Sequence, residues 1–430
     1  MSSGTITTSE IRATARHDRA AAEAMVVRLL DQLFGLAATG LKINQDQYSL
    51  NSVNGVFHAD NADFFFKFHQ EEGEAEMRGE YYRADILAQA GLPVDLPVHL
   101  SNQPGEQILI YRRRDEPRFS DVLRALDLAD DPAARGRAIA AERDLNTRIA
   151  AVQARTLHAI TPTQSQDEAI HRLFHERLVS QPERRFPGGR FADFYVGKDF
   201  VFPGCMLAWA ELQNLAFVIN GQEYAMSLGA LFAAAHDRLT PTRLADAGGL
   251  VAHGDAHNAN VWYCDTGDGH SSLAFFDPAF AGEHVPSLLA EVKSTFHNVF
   301  AHPFWLYDPE LAASRFQARA EVADGRLVVT TDWELSAIRR DLLVVKQETM
   351  WRPLLALLRD RGMLPEDWRR VVRLALFLCP TLVMNLRAGV TSHNPVSSLI
   401  GLAVAVMVGS EPVRGEDVVT GFLDAIAPAA

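Results

Sequence analysis

The sequence predicts an α+β protein with a two-lobed fold. The smaller N-terminal lobe would hold an antiparallel sheet plus one helix, and the larger C-terminal lobe would be mainly helical. Three observations support this prediction. The chain has 430 residues, which is too many for one simple core. Short segments of alternating apolar and polar residues lie between 41 and 113, and helical periodicity dominates from about 116 onward.

The N-terminal lobe is predicted from three patterns in order. Apolar residues at helical spacing predict one helix over 9–38, so residues 1–40 form an N-terminal helical extension. Residues 41–115 are predicted to form the small lobe of sheet and one helix, with turns at Asn54-Gly55 and Asp60-Asn61 between strands. An amphipathic helix over 74–91 ends at Gly91, and two further strands follow it.

Residues 116–430 are predicted to form the helical C-terminal lobe. A long helix covers 133–159, and Asn220-Gly221 predicts a hairpin turn. A strand starts near residue 259, a second strand ends at Asp277, and everything after 286 has a helical pattern. The longest apolar run, 398–409, is too short to span a bilayer at roughly 20 residues, so we expect a buried helix and no membrane partner.

Charge and cysteine content exclude several classes of protein. A formal net charge of -13 argues against a general nucleic-acid binder, which needs a basic surface. The three cysteines are far apart and odd in number, so neither a disulfide framework nor a cysteine-rich zinc site is expected. With no apolar segment typical of a signal peptide at the N-terminus, we expect a cytoplasmic protein.

The densest group of reactive side chains is "VAHGDAHNAN", residues 251–260. Asp255 is followed by Asn260, and a predicted strand pair then leads to Asp277, so a hairpin can bring all three together. Phosphoryl transfer needs such a set: a carboxylate for the attacking hydroxyl, oxygen ligands for Mg²⁺ and a lysine for the phosphates. Lys67, in the apolar strand "FFFKF", is the candidate lysine.

The segment H253-G254-D255-A256-H257-N258-A259-N260 resembles the catalytic loop of the aminoglycoside phosphotransferase-like family of small-molecule kinases, which includes the choline and fructosamine kinase types. "FFDPAFAGEHVP", which contains Asp277, resembles the metal-binding segment of that family. The order of a polar turn, strand lysine, helix glutamate and "GLPV" also fits, over roughly 45–300. The resemblance implies a protein-kinase-like fold and ATP- and Mg²⁺-dependent phosphorylation of a small-molecule hydroxyl.

The resemblance also implies roles for individual residues. Asp255 would be the catalytic residue, and Asn260 and Asp277 would bind the metal. His253 would brace the loop. The nucleotide would be bound by the strand lysine, its glutamate partner, the turn at 49–55 and the hinge backbone: Lys67, Glu80, Ser52, Asn54, Gly55, Ile110 and Tyr111.

Several alternatives stay open at this point. Glu76 could replace Glu80 as the lysine partner, and GTP could replace ATP. A metal-dependent hydrolase could use His253, Asp255 and His257, with Asp277 and His284 as further ligands. A non-catalytic kinase-like binding protein is a third reading. The sequence does not name the acceptor, for which an aminoglycoside or amino sugar is one candidate. Parts of 180–225 and 286–410 are the expected acceptor-binding region. The sequence also leaves open whether the protein forms a homodimer.

Overall fold

The computed structural model describes residues 6–44, 52–69, 83–101, 103 and 105–428, with backbone only at 52 and 69. The chain divides into two compact units. One holds residues up to 89 together with 93–116, and the other holds 90–92 and everything from 117 onward. The predicted α+β class, with an N-terminal antiparallel sheet and a mainly helical remainder, is confirmed.

The N-terminal unit is a five-stranded antiparallel sheet with helices packed on it. Its strands follow the spatial order β1-β2-β3-β5-β4. The elements are α1 (Thr8–Ala15), α2 (Arg19–Phe34), β1 (Thr39–Ile43), β2 (Ser52–Ala59), β3 (Ala62–His69), α3 (described over 83–89), β4 (His99–Ser101) and β5 (Ile108–Arg112).

The expected single helix over 9–38 is wrong, because two helices occupy this stretch. The side chain of Asp18 accepts the backbone N–H of Ala21 at 3.0 Å and so caps a new helix. Gly35, at φ 66°, ends α2 in the left-handed conformation. Apolar residues of both helices, including Ile11, Val26 and Leu29, share one core with the sheet residues Phe57 and Phe66.

The predicted turn at Asn54-Gly55 is also wrong. Both residues lie inside β2, where Asn54 is paired with Lys67 and Gly55 with Phe66. A Cβ at Gly55 would lie 2.2 Å from the carbonyl oxygen of Lys42 and 2.6 Å from the Phe66 ring. Glycine is therefore needed for close strand packing and not for a turn. The hairpin between β2 and β3 turns at Asp60 and Asn61, as predicted, and both have positive φ.

The C-terminal unit is mainly helical. Its longest helix is α5 (Pro132–Thr156), which Asp131 caps. The other helices are α4 (Phe119–Leu128), α6 (Pro162–Gln166), α7 (Gly189–Phe194), α8 (Trp209–Leu212), α9 (Leu228–Arg238), α10 (Val292–Thr295), α11 (Pro309–Arg315), α12 (Ala337–Lys346), α13 (Arg352–Asp360), α14 (Trp368–Val383), α15 (Pro395–Gly409) and α16 (Val418–Ile426). The predicted buried helix near 398–409 is α15.

Short strands complete the C-terminal unit: β6 (Asp199–Phe202), β7 (Cys205–Ala208), β8 (Ala216–Ile219), β9 (Gln222–Glu223), β10 (Gly249–Ala252), β11 (Val261–Asp265), β12 (Ser271–Phe275), β13 (Gly282–Pro286), β14 (Ala318–Ala323) and β15 (Arg326–Thr331). The expectation that everything after 286 is helical is wrong, because β14 and β15 form a hairpin around Asp324-Gly325. This hairpin joins β8 and β9 in a four-stranded sheet. Among the described residues, no helix has both the length and the apolar character needed to cross a membrane.

Candidate active site

The candidate active site lies on the loop between β10 and β11. Residues 258–260 of this loop form a short 3-10 turn that leads directly into β11. Gly254 has a φ of 77°, and a Cβ there would lie 2.4 Å from the carbonyl oxygen of Phe280. The loop therefore packs directly against the segment that follows Asp277, and glycine is the residue that fits at 254.

His253 connects this loop to the chain just before Asp277. Its Nε2 donates to the carbonyl oxygen of Phe276 at 3.0 Å, and its Nδ1 accepts the backbone N–H of Asp255 at 3.3 Å. Burial of the ring lowers the pKa of His253, so the imidazole is neutral, as these two hydrogen bonds require. His253 thus has the bracing position that the resemblance implies.

The Asp255 carboxylate faces two basic side chains. Lys293 Nζ lies 3.7 Å from Oδ1, and His257 Nε2 lies 3.7 Å from Oδ2. Burial alone would raise the pKa of Asp255, but Lys293, followed by His257, His253 and lastly Arg177, outweighs this effect, and the pKa lies below its usual value. Oδ1 is buried and accepts no hydrogen bond from the described residues. The loop therefore presents an ionised carboxylate with one oxygen not yet hydrogen-bonded.

The β11–β12 hairpin brings Asn260 next to Asp277. The backbone N–H of Phe276 donates to the carbonyl oxygen of Asn260 at 3.0 Å, one residue before Asp277. Asn260 Nδ2 donates to the backbone oxygen of Asp255 at 3.0 Å, which leaves the side-chain Oδ1 for another partner. Asp277 has a φ of 54°, in the left-handed region that aspartate adopts more readily than most residues other than glycine. The sequence-predicted Asp255, Asn260 and Asp277 therefore lie on one local hairpin.

A buried ion pair supports the loop from behind. The backbone N–H of Asn258 donates to Asn298 Oδ1 at 2.8 Å, and the backbone oxygen of Asn298 accepts from Arg339 Nη1 at 2.7 Å. Arg339 Nη2 lies 2.6 Å from Asp127 Oδ2, and both of these side chains are 0% exposed. The position of the loop thus depends on a charge pair contributed by α4 and α12.

Sequence reasoning missed the basic residues around Asp255. Lys293 is the second residue of the helical stretch 292–300, whose residues are all buried, and Arg177 lies in a 3-10 turn over His175–Leu178. The signal for Lys293 was available, because a lysine buried among apolar residues needs an anion as its partner. Arg177 gave no such signal, because it lies far from the motif in the sequence.

The predicted nucleotide-binding residues belong to the N-terminal unit. Lys67 is half-buried on the sheet face opposite Phe66 and Phe68. Asn54 Oδ1 accepts from Asn44 Nδ2 at 2.8 Å, and the carbonyl oxygen of Ile110 accepts from the Val98 N–H at 2.7 Å. Tyr111 is paired with Phe65 of β3, and Ser52 begins β2. Glu80, its alternative Glu76, and residues 49–51 of the turn lie outside the described residues.

The hydrogen bonds of the histidines argue against the metal-hydrolase alternative. Both ring nitrogens of His253 are used by the backbone, as described above. In His284, Nδ1 contacts His158 Nε2 at 2.9 Å and Nε2 contacts Gln164 at 3.3 Å. These rings lack the free lone pair that a metal ligand needs. Within the described ranges, no group of three or more His, Cys, Asp or Glu side chains is arranged to hold a metal ion.

Comparison with known proteins gives structural likeness without sequence likeness. No protein-family model and no curated protein matches the chain. Among solved structures, a ternary complex of a thermostable aminoglycoside phosphotransferase APH(4)-Ia with ADP and hygromycin B is 14% identical at a TM-score of 0.45, covering 89% of this chain and 98% of that chain.

Two further solved structures are similar over most of their length. The GDP and kanamycin complex of APH(2")-IIia is 11% identical at a TM-score of 0.41, covering 83% of this chain and 89% of that chain. A microcompartment-associated aminopropanol kinase is 13% identical at a TM-score of 0.39, covering 89% of this chain and 94% of that chain. The functional assignment therefore rests on the side chains of the site.

Proposed function

We propose that the protein is a phosphotransferase that moves the γ-phosphoryl group of ATP, or alternatively GTP, to a hydroxyl group of a small molecule. The observation that carries the proposal is the state of Asp255. Its carboxylate is ionised and held on a braced loop, and its side chain keeps 15% of its surface exposed. An ionised carboxylate can orient the acceptor hydroxyl, because it can accept a hydrogen bond and then a proton from it.

The reaction follows from this geometry. The acceptor hydroxyl donates a hydrogen bond to Asp255, which directs an oxygen lone pair toward the γ-phosphorus. A new O–P bond forms as the bond between the γ-phosphorus and the β,γ-bridging oxygen breaks, and the nucleoside diphosphate leaves. The hydroxyl proton passes to the Asp255 carboxylate. Lys293, 3.7 Å away, keeps that carboxylate ionised until the proton transfers.

The donor set on the hairpin fits Mg²⁺. Asp277 supplies a carboxylate, and Asn260 supplies an amide oxygen because its Nδ2 is used by the backbone of Asp255. Both are the hard oxygen ligands that Mg²⁺ prefers. When bound, the ion would offset the negative charge of the phosphates. Asp277 and Asn260 would supply some of the ligands of the ion, and the nucleotide and water would supply the others.

The N-terminal unit would bind the nucleotide. Lys67 is the candidate for the α- and β-phosphates, with Glu80 as its partner. Ser52, Asn54 and Gly55 are proposed for the phosphate side of the nucleotide. Since Asn54 and Gly55 lie in β2, they would act from the strand and not from a turn. The backbone at Ile110 and Tyr111 is proposed for the base.

A coupled assay of nucleoside diphosphate release over a panel of hydroxylated small molecules tests the proposal. Asp255→Asn should lower kcat by about 100-fold or more, with unchanged nucleotide affinity, because it removes the proton acceptor and keeps the shape. The matched control is Asp265→Asn, an exposed aspartate at the end of β11. Wild-type turnover in Asp255→Asn would contradict the role of Asp255.

The metal assignment has a separate test. Asp277→Ala should lose affinity for Mg²⁺-nucleotide, measured by calorimetry, as well as turnover. Nucleotide affinity in the absence of Mg²⁺ should stay close to that of the unmodified protein. Equal Mg²⁺-nucleotide affinity in the two proteins would refute the assignment of Asp277.

A further inference from the structure

The charged groups that act most strongly on Asp255 are cationic. Lys293 Nζ lies 3.7 Å from Asp255 Oδ1, and the charge of Arg177 also reaches this carboxylate. The neighbouring carboxylates Glu142 and Glu291 contact Lys346 instead, at 3.1 and 3.8 Å. The Asp255 carboxylate therefore faces a buried cation.

A row of hydrogen bonds leads from Lys293 to an exposed residue. An ammonium group can only donate, so His297 Nε2, 2.9 Å from Lys293 Nζ, must accept. The remaining proton of the ring is then on Nδ1, which donates to the Tyr307 hydroxyl oxygen at 2.5 Å. Burial, and next the charge of Lys293, hold the pKa of His297 well below its usual value, which agrees with a neutral ring.

Tyr307 ends this row with a hydroxyl proton still to donate. Its oxygen accepts from His297, so its own O–H can point to another acceptor. Tyr307 is 45% exposed, although its hydroxyl contacts the buried His297 ring. Burial of that hydroxyl, and then the charge of Asp255, raise the pKa of Tyr307, so the hydroxyl stays protonated. Tyr307 therefore offers a donor on the side of Asp255 where Lys293 lies.

Arg177, whose charge also acts on Asp255, offers further hydrogen-bond donors. Its Nη1 donates to the carbonyl oxygen of Leu382 at 3.2 Å, and the described chain shows no other hydrogen bond from its guanidinium group. Arginine carries five N–H donors in a planar fork that matches carboxylate and phosphate groups. Several donors of Arg177 therefore remain for a ligand.

This arrangement does not suit a polycationic acceptor. An ammonium-rich molecule would approach Lys293 and Arg177, and the carboxylate beside them is needed for the reacting hydroxyl. Like charges placed together are disfavoured. An anionic group on the acceptor would instead meet Arg177 and the Tyr307 hydroxyl while its hydroxyl meets Asp255.

We infer that the acceptor, given the phosphotransferase activity proposed above, is a small alcohol that carries a carboxylate or phosphate group, bound by Arg177 and Tyr307. Neither an aminoglycoside nor an amino alcohol fits this charge pattern. The anionic group fixes the orientation of the molecule, and its hydroxyl lies at Asp255.

Two matched series of alcohols test the inference by initial rates of diphosphate release. One series is glycerol, glycerate, glycerol phosphate and aminopropanediol, and the other is glucose, gluconate, glucose phosphate and glucosamine. An anionic member should exceed its neutral and cationic counterparts in kcat/KM by about tenfold or more, as expected for hydrogen bonds to a charged group. Carboxylate and phosphate members separate the two anion types. A cationic member that is the best in its series would overturn the inference and leave the phosphotransferase assignment intact.

Variants of Arg177 make the test specific. Arg177→Gln should raise KM for the anionic acceptor about tenfold or more, with unchanged KM for the nucleotide. Arg177→Lys should keep part of the preference for anions, which separates lost charge from misfolding. The control is Arg243→Gln, an exposed arginine paired with Asp237 at the surface. An unchanged preference for anions in Arg177→Gln would refute the role of this residue.

Calorimetry without nucleotide separates the two levels of the proposal. Glycerate, gluconate and their phosphate counterparts should bind to the unmodified protein, and Arg177→Gln should weaken this binding about tenfold or more. Binding that depends on Arg177 without any phosphoryl transfer would overturn the proposed function and keep the anion site. If none of the anions binds, the anion site is refuted even where transfer to neutral alcohols is seen.

Discussion

The ion pair between Asp127 and Arg339 should contribute to both stability and activity, and the two effects can be separated. Both side chains are 0% exposed and their closest atoms lie 2.6 Å apart. Arg339→Met removes the positive charge and leaves Asp127 buried without its partner. Removing one member of a buried pair typically costs about 3–5 kcal/mol of the free energy of unfolding. Urea unfolding followed by circular dichroism measures this loss.

The double variant Asp127→Leu/Arg339→Met provides the control. It removes both charges, so no buried ion is left unpaired, and most of the lost stability should return. The Ser336 hydroxyl, which donates to Asp127 at 2.6 Å, would then lose its acceptor and cost about 1 kcal/mol. If the single variant loses less than about 1 kcal/mol, or the double variant loses as much as the single one, the reasoning on the unpaired charge is wrong.

Activity should not return with stability in the double variant. Arg339 holds the backbone of Asn298, which in turn accepts the N–H of Asn258 on the catalytic loop. Without Arg339 this support is absent whether or not Asp127 is charged. Small displacements of a positioned group can lower turnover about 100-fold. We therefore expect a stable double variant with low kcat and ordinary nucleotide affinity, and full kcat in that variant would contradict a positioning role for Arg339.

Three further predictions concern the catalytic loop and one buried histidine. Gly254→Ala should lower the free energy of unfolding by about 1–3 kcal/mol, because of its positive φ and the carbonyl oxygen close to it. Gly267→Ala, at the same φ of 77° but in open space, should lower it by only about 1 kcal/mol. Urea unfolding of the two variants measures both losses. Because the pKa of Asp255 is lowered, its contribution to stability is present above the ordinary aspartate pKa and is lost as pH falls through the lower folded value. Lys293→Met removes the main cause of this shift, so the acid limb of the pH–rate profile should move to higher pH. An acid limb that stays in place would count against this pairing. Burial lowers the pKa of His393 from 6.5 to about 4, so stability should fall by up to about 3 kcal/mol as pH drops through that interval, a loss that His393→Gln should remove.

Sequence patterns predicted those secondary-structure elements that depend on interactions between neighbouring residues of the chain. Alternating segments between 41 and 113 predicted strands, and one of them is β3, in which Phe64, Phe66 and Phe68 are buried. Asn54-Gly55 misled because the same dipeptide that favours a tight turn also allows strands to approach closely, and the contact that requires Gly55 comes from Lys42. A dipeptide alone contains no information about such a neighbour.

The same distinction applies to the candidate site. Asp255, Asn260 and Asp277 could be grouped from the sequence because one hairpin, with Val261 paired to Phe275, joins them. Arg177 could not, because its approach to Asp255 depends on packing between segments distant in the chain. Sequence spacing thus identified the groups proposed for phosphoryl transfer, and the three-dimensional structure was needed to find the basic residues that act on Asp255.

The parallel pairing of β15 with β8 has a consequence for the order of folding. Val218 is paired with Val328, so this contact closes a chain loop that contains β10, the catalytic loop and Asp277. Such a distant pairing forms slowly compared with a hairpin, although its entropy cost grows only slowly with loop length. During synthesis, the catalytic residues emerge from the ribosome before the strand that closes their loop. In pulse-labelling hydrogen exchange, amides of the β11–β12 hairpin should therefore become protected before those that join β15 to β8.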